Sequence, residues 1–516
     1  MKKLELIISK KAGIVKVNHF FMRVKHKAKF LSLNSYLLTL SSYLLTLNLQ
    51  AQQITLTLNR TIEIASDSSL QAFSAKNQYQ SSYWAFVSYK AARLPSLTLT
   101  TTPLQYYRNI VRRYDSENNM DIYRQQQSLY SHGSLSLSQN FDLTGGTFFI
   151  NSDLGYIRNF SDNVYSQYTT TPFQIGYYQN LFGFNSFKWE KRVEPLKYEK
   201  AKKKYIYDRE AISETSTQYF FDLATAQVEY DMAKSNVASS DTLYRIGQER
   251  HAIASISQSD LLTLKLDAVN AKNSLKNAEI NLKRAMSSLV SFLNMDKDTQ
   301  VKLELPGAPK NVEITADLAL QYARENNPDF LGNRQQILEA EREVDRTKKS
   351  SVFDASISAS IGFNRVANAF SSAYMKPSQQ EIFSIGFTIP LIDWGVRKGR
   401  ANMAKSNLNV TQISVKQKEI SLEQDVIMTV NDFNVQQDMI RSAEEAMELA
   451  NLAYDATKQR FIIGNADINS LTLSLNRQNE AQRNYIAALK NYWLSYYKIR
   501  KLTLFDFEKS KTLDVN

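Results

Sequence analysis

The sequence predicts a mainly α-helical protein with a β portion, in which very long antiparallel helices and short strands alternate in two pseudo-repeats. Two observations predict this fold class. Only 9 Pro and 15 Gly interrupt the 516 residues, so long uninterrupted elements must dominate. Short segments alternate with period two, which is typical of strands, whereas long segments follow a seven-residue period, which is typical of packed helices.

The second half of the chain repeats features of the first half 210 positions later. Residues 173–176 (FQIG) recur as residues 383–386 (FSIG). The same shift relates further pairs: Tyr244 and Tyr454, Arg250 and Arg460, Ile253 and Ile463, Ala278 and Ala488, Asn281 and Asn491. Ordered matches without a gap predict duplication of a half-protein. We assign repeat 1 to residues 52–313 and repeat 2 to residues 314–516.

The first 51 residues resemble an export signal. Residues 1–50 carry nine Lys or Arg and one Glu, which is +8 of the net charge of +12. An apolar segment at 30–49 follows the basic stretch and ends before a plausible cleavage site after Ala51. We therefore expect residues 1–51 to be a signal peptide. The alternative is a single membrane anchor, because the segment reaches the minimum length that spans a bilayer.

Strand-like alternation occupies residues 96–182 in repeat 1 and 354–391 in repeat 2. About 9–11 residues are enough for a tilted strand to cross a bilayer, and the aromatic residues that crowd the first region favour membrane interfaces. A soluble antiparallel sandwich is the alternative, because alternation alone does not name the solvent. The first region is longer by about 48 residues, which fit either an added hairpin or a surface loop, and we expect residues 111–131 to be a loop.

Each strand region leads into a very long helix. Residues 187–250 contain only Pro195 and Gly247 as interruptions, and residues 398–460 contain only Gly399. Sixty residues of helix span roughly 90 Å at about 1.5 Å per residue. A returning helix with a seven-residue seam follows each one, with tips near 247–257 and 460–468 and a linker at 296–313. The residues of the first seam are Leu261, Leu264, Ala268, Ala271, Leu275, Ala278, Leu282, Ala285, Leu289 and Phe292.

Three segments together resemble the TolC-like outer membrane factor family, in its Bacteroidetes-type members. They are residues 383–395 (FSIGFTIPLIDWG), residues 460–464 (RFIIG) followed by Ser470 and Leu471, and residues 499–507 (IRKLTLFDF). The resemblance implies a long antiparallel α-helical coiled-coil barrel in the periplasm. It implies that this barrel joins a 12-stranded trimeric β-barrel in the outer membrane, to which each chain gives four strands.

The resemblance also implies a function. The chain would be the trimeric exit duct of a tripartite efflux system, which conducts small molecules or drugs to the exterior. Its partners would be two further copies of itself, a periplasmic adaptor protein, an inner membrane pump of the resistance-nodulation-division or ABC type, and outer membrane lipid. A duct for type I protein secretion is one alternative, and a periplasmic coiled-coil scaffold is the other.

Catalysis is not expected from this sequence. No Ser/His/acid arrangement, metal-spaced cluster or phosphate-binding glycine loop is present, and His132 and His251 are isolated. The chain has no cysteine, which excludes disulfides and thiolate metal sites. The net charge outside residues 1–50 is only +4, which gives no basic face for nucleic acid. We expect no enzyme activity, no cofactor, no metal and no nucleic-acid partner.

The resemblance assigns adaptor docking to the two tips. The family's docking turn maps onto Arg460, Ile463 and Gly464, and the 210-residue shift carries it to Arg250, Ile253 and Ala254. Glycine favours the left-handed turn conformation. The first tip, which has Ala254 instead, is therefore expected to turn differently, with Gly247 as the candidate turn residue. The alternative is that these residues merely end the helices.

The resemblance also points to residues at the channel aperture. Asp260 matches the aspartate of the family's closing network, but Phe461 stands at its tyrosine position and Ala466 at its arginine position. Asp467 is the candidate for a substitute ring of carboxylates, which would attract cations at a constriction. The alternative for Asp467 is an ordinary aspartate at a helix start.

Overall fold

A computed structural model describes residues 53–160, 164–307, 312–351 and 353–514. The predicted signal peptide and part of the predicted linker (308–311) lie outside the described residues. The chain divides into two compact units. The first consists of residues up to 61 together with 222–306, and the second of residues 62–221 together with 307 to the C-terminus.

Two very long helices dominate the described residues. The predicted helices at 187–250 and 398–460 are confirmed, each within two residues at either end. Each contains 67 residues, about 100 Å at ~1.5 Å per residue. The eight helices are α1 (Leu58–Ser68), α2 (Leu70–Ala91), α3 (Ser186–Ala252), α4 (Gln258–Phe292), α5 (Ala316–Asn326), α6 (Pro328–Ser350), α7 (Val396–Ile462) and α8 (Ile468–Thr503).

The described part of the chain also contains ten strands. They are β1 (Gln53–Leu56), β2 (Ser96–Asp115), β3 (Met120–Asn140), β4 (Thr147–Asn159), β5 (Tyr165–Asn180), β6 (Gln300–Leu303), β7 (Asp354–Ala367), β8 (Ser378–Thr388), β9 (Phe505–Asp506) and β10 (Lys511–Thr512). In the first unit β1 and β6 pair in parallel, and the Gln227 side chain bonds the backbone of Val301 and Leu303 beside them.

The second unit contains one antiparallel sheet of six strands in the order β2-β3-β4-β5-β7-β8. The expectation of four strands per chain is therefore wrong, because the sheet of one chain contains six. The extra residues of the first strand region are not a surface loop. They form β3 and β4, whose backbones pair from Ser128 to Asn140 with Asn159 to Thr147, so they are integral members of the sheet.

The expectation of a loop at residues 111–131 is also wrong. β2 and β3 continue as a paired hairpin to the Asp115–Met120 pair, well beyond the last β3–β4 pair at Ser128. The extension is exposed on both faces. Its apolar residues, such as the adjacent Ile110 and Val111, do not alternate regularly with polar ones, so the extension lacks the period-two pattern that predicts a half-buried strand.

The helices of the second unit that adjoin the sheet pack side by side. Phe86 of α2 stacks on Tyr198 of α3 with ring centroids 4.5 Å apart. The indole Nε1 of Trp189 in α3 donates to Asp345 of α6 at 2.8 Å, and Lys418 of α7 donates to Gln336 of α6 at 3.1 Å. The lateral order is thus α2-α3-α6-α7.

Backbone hydrogen bonds hold the C-terminal segment as far as Leu513. β10 pairs with β9, and the Leu513 amide donates to the Leu504 carbonyl at 2.9 Å. Arg500 fixes this region, because its guanidinium bonds both carboxylate oxygens of Glu210 on α3 and one oxygen of Asp506, each at 3.0 Å. All three side chains are buried or nearly so.

Among the described residues, no helix is both long enough and apolar enough to cross a bilayer.

Candidate functional site

The first tip joins α3 to α4 within the first unit. The Ala254 amide donates to the His251 carbonyl at 2.9 Å, and the Ser255 amide donates to the Arg250 carbonyl at 2.8 Å. Ala254 adopts a left-handed φ of 56°. This pair of hydrogen bonds around one left-handed residue is the Schellman ending of a helix.

The second tip, which joins α7 to α8 in the second unit, has the same pattern. The Gly464 amide donates to the Phe461 carbonyl at 3.0 Å, and the Asn465 amide donates to the Arg460 carbonyl at 2.8 Å. Gly464 has a φ of 90°. Each of these positions lies 210 residues after its counterpart in the first tip.

The expectation that the first tip turns differently is therefore wrong. Ala254 takes the left-handed conformation itself, which costs an L-residue roughly 1–2 kcal/mol. Gly247 lies inside α3 and does not form the turn. It permits close packing, since a Cβ at this position would lie 2.5 Å from the Leu264 side chain of α4.

Both tips present an isoleucine to solvent. Ile253 is 76% exposed and Ile463 is 70% exposed, each directly before the left-handed residue. Arg460 donates to the Asn465 carbonyl at 3.3 Å, which holds its guanidinium across the turn. An exposed apolar side chain beside arginine, on a rigid backbone turn, can bind a protein surface.

Both candidate aperture carboxylates cap helices. Asp260 accepts from the Ser257 amide at 3.2 Å and its own amide donates to the Ser257 hydroxyl at 3.1 Å, which is a capping box at the start of α4. Asp467 accepts from the Ser470 amide at 2.7 Å, and this bond lowers the pKa of its carboxyl below the ordinary value. Asp467 is thus ionised at neutral pH, which a ring of charges requires.

Phe461, the third aperture candidate, is buried. Its side chain is only 1% exposed within the second unit. No hydroxyl is available there, so the position of the family's tyrosine is occupied by a packing residue. Among the described residues, no group of three His, Cys, Asp or Glu side chains could hold a metal.

The six-stranded sheet has one apolar and one polar face. Residues that pair across neighbouring strands point to the same face. One row across the sheet is apolar until it reaches Glu381 on the edge strand: Leu97, Leu137, Ile150, Ile175, Ile361 and Glu381. The adjacent row, on the other face, is polar or small throughout: Thr98, Ser136, Asn151, Gln174, Gly362 and Gln380.

Hydrogen bonds link the side chains of the polar face. The Ser136 hydroxyl donates to Asn151 at 2.6 Å, and the Gln174 amide donates to the Ser360 hydroxyl at 3.0 Å. His132, which the sequence alone leaves isolated, lies on this face with its Nε2 3.9 Å from an oxygen of Asp153. The β3–β4 register brings these two together, and that register cannot be found without identifying β3 as a strand.

The second half of the chain matches a family model. Residues 319–503 match the model of the outer membrane efflux proteins. The chain is also similar to the toxin and drug export protein A of Aggregatibacter actinomycetemcomitans, at 19% identity over 232 residues. That match covers 43% of this chain, and the chain spans about half (48%) of the length of this curated relative.

Solved structures share the fold across most of the chain. The Campylobacter jejuni CmeC outer membrane channel aligns with a TM-score of 0.61 at 15% identity, covering 89% of this chain and 90% of that one. The Vibrio cholerae outer membrane protein VceC aligns with a TM-score of 0.61 at 14% identity, covering 86% and 95%. The open-state Neisseria gonorrhoeae MtrE outer membrane channel aligns with a TM-score of 0.56 at 12% identity, covering 87% and 89%.

Proposed function

We propose that this chain, a TolC-like outer membrane efflux protein by its domain and its fold, is the outer membrane exit duct of a tripartite efflux system. The proposal rests above all on one observation: a sheet that is apolar on one face and hydroxyl-rich on the other continues into helices about 100 Å long. A coiled-coil scaffold protein has no need of such a sheet.

The two faces of the sheet fit a barrel wall in the outer membrane. The apolar face contacts lipid, and the polar face lines a water-filled bore. Six strands are too few for one chain to close a barrel, since the smallest have eight. Open sheet edges cannot face lipid. Several copies therefore share the barrel, and we propose a homotrimer whose helices extend into the periplasm.

The tips are the proposed docking sites for a periplasmic adaptor protein. Arg250, Ile253 and Ala254 form one site, and Arg460, Ile463 and Gly464 form the other. The matching Schellman turns give both tips the same backbone shape, and both expose an isoleucine. One adaptor fold can thus recognise both sites. The adaptor in turn connects the duct to an inner membrane pump.

The duct conducts and does not catalyse. At the tips, Asp467 contributes one ionised carboxylate per copy, with Asp260 and Phe461 as the other aperture positions. Three carboxylates near a common axis attract cations and disfavour anions. Opening is a movement of the helices at the tips, biased by contacts with the adaptor.

Protein secretion is the second candidate function. The curated relative is named for export of both toxins and drugs, so a polypeptide substrate is also compatible with a duct of this type. Small-molecule efflux is preferred because the family model that matches residues 319–503 is that of the outer membrane efflux proteins.

Replacing Ile463 with glutamate is the test of docking and function together. The exposed side chain contributes nothing to the chain's own core, so folding should be unchanged. Burying a charge against an adaptor is unfavourable, and we expect at least a tenfold loss of adaptor crosslinking and sensitivity to drugs equal to that of a deletion strain. The matched control is Leu452→Glu, at an exposed apolar position ten residues from the end of the same helix.

The control should keep both adaptor crosslinking and drug resistance. If the Ile463→Glu protein crosslinks to the adaptor as strongly as the wild type does, the second tip is not a docking site. If a strain that lacks this chain keeps its drug resistance but no longer releases proteins into its culture medium, the function is protein secretion and not drug efflux.

A further inference from the structure

We propose that three copies of this chain close an 18-stranded barrel, in which β2 of each copy pairs with β8 of the next. The inference rests on the proposed trimer and departs from the 12 strands that the family resemblance implies. Each copy contributes the six strands of its sheet. The partner at each edge is therefore a second copy of this chain, not an unrelated protein.

The two edges are suited to each other. The sheet is antiparallel throughout with an even number of strands, so β2 and β8 run in opposite directions. Adjacent copies can then continue the antiparallel ladder without a break, as closed barrels require. Both edges also present apolar residues on the face that contacts lipid: Leu97 and Leu99 on β2, and Phe383, Ile385 and Phe387 on β8.

The helices that leave the sheet have the same lateral order as its strands. α2 enters edge strand β2, α3 follows β5, α6 enters β7, and α7 follows edge strand β8. The contacts between these helices give the order α2-α3-α6-α7. The edges of the sheet therefore continue into the edges of the helix layer, and the same neighbouring copy meets both.

The widths of the two layers agree when all six strands belong to the barrel wall. Four helices side by side, at 8–10 Å each, are about 36 Å wide. Six strands spaced about 4.8 Å apart and tilted by about 40° cover about 38 Å of circumference. Four strands would cover only about 25 Å by the same geometry.

The consequence is a wider bore than twelve strands provide. Barrel diameter grows roughly linearly with strand number, so eighteen strands give a diameter about 1.5 times larger. Barrels of 16–18 strands leave an aqueous channel between their walls. The hydroxyl-rich polar face then remains hydrated, with space for substrates larger than single ions.

Photo-crosslinking in outer membranes tests this pairing. The photoreactive amino acid p-benzoylphenylalanine is placed at Leu99 on edge strand β2, and in a matched protein at Leu135, its directly paired neighbour on interior strand β3. Both residues lie on the apolar face. We expect the Leu99 probe to give covalent products up to three copies, with the attachment mapped by mass spectrometry to residues 378–388. The Leu135 probe should give no product between copies.

A reciprocal probe at Phe383 on β8 should attach to β2, which keeps the test decisive if the Leu99 protein folds poorly. Products that end at two copies, or attachments that avoid the opposite edge strand, would overturn the 18-stranded barrel while leaving an outer membrane duct in place. A protein absent from the outer membrane would overturn the duct as well.

Discussion

Replacing Arg500 with methionine is expected to lower the free energy of unfolding by about 3–5 kcal/mol. The Arg500 guanidinium forms an ion pair with Glu210 and also bonds Asp506, which accepts a further bond from the Tyr496 hydroxyl at 3.0 Å. The Glu210 and Asp506 side chains are only 9% and 4% exposed. Methionine fills similar space but leaves two buried carboxylates without their cation. Chemical denaturation of the detergent-solubilised protein measures the loss.

The matched control is Arg441→Met. Arg441 pairs with Asp438 on the surface of α7, where the two side chains are 80% and 78% exposed. Exposed pairs contribute at most about 1 kcal/mol, so this variant should unfold almost as the wild type does. Equal losses in the two variants would show that the buried cluster does not hold the C-terminal region to α3.

The loss should also depend on pH. Burial raises the pKa of the Glu210 carboxyl above its ordinary value of 4.5, although the Arg500 charge opposes the shift. The folded state therefore holds this proton more tightly than the unfolded state, and the contribution of Glu210 to stability falls as the pH rises above 4.5. Removal of Arg500 removes the opposing charge. The deficit of the variant should be largest at neutral pH and smaller at acidic pH.

Replacing Ile175 with arginine is expected to destabilise the folded barrel by about 2–4 kcal/mol. Ile175 lies on central strand β5 between Ile150 and Ile361, in the apolar row of the sheet. An arginine there faces the hydrocarbon of the membrane if this face contacts lipid. The measurement is the amount of folded, heat-sensitive oligomer in isolated outer membranes, together with urea unfolding in lipid vesicles.

The matched control is the adjacent residue on the opposite face. Gln174→Arg places the same charge in the same strand but on the polar face, and it loses only the bond to Ser360. A side chain on the bore remains in water, so the oligomer should form and its ion selectivity should shift towards anions. If Gln174→Arg abolishes assembly and Ile175→Arg does not, the two faces have been assigned the wrong way round.

The long helices were predictable because their signal is strong and local. Because Gly and Pro are nearly absent from these segments, the predicted ends of α3 and α7 lie within two residues of the observed ends. The strands β5, β7 and β8 were recognisable from apolar residues at every second position, which one lipid-facing or buried face imposes. The seam positions Leu264, Ala268, Ala278 and Leu289 are buried within the first unit.

The number of strands was not predictable by the same argument. The outer part of the β2–β3 hairpin is exposed on both faces, so no periodicity marks it as strand. The family resemblance then suggested four strands where pairing gives six. The prediction for the first tip was wrong for another reason. Alanine disfavours the left-handed conformation, yet the Schellman hydrogen bonds hold Ala254 in it.

Electron cryo-microscopy of the assembly extracted from outer membranes tests the central claim most directly, because one density map counts copies and strands together. We expect three copies around one axis and eighteen strands in the detergent belt. A protein that leaves the membrane without detergent as a single copy, or a barrel from which β3 and β4 are excluded, would contradict it.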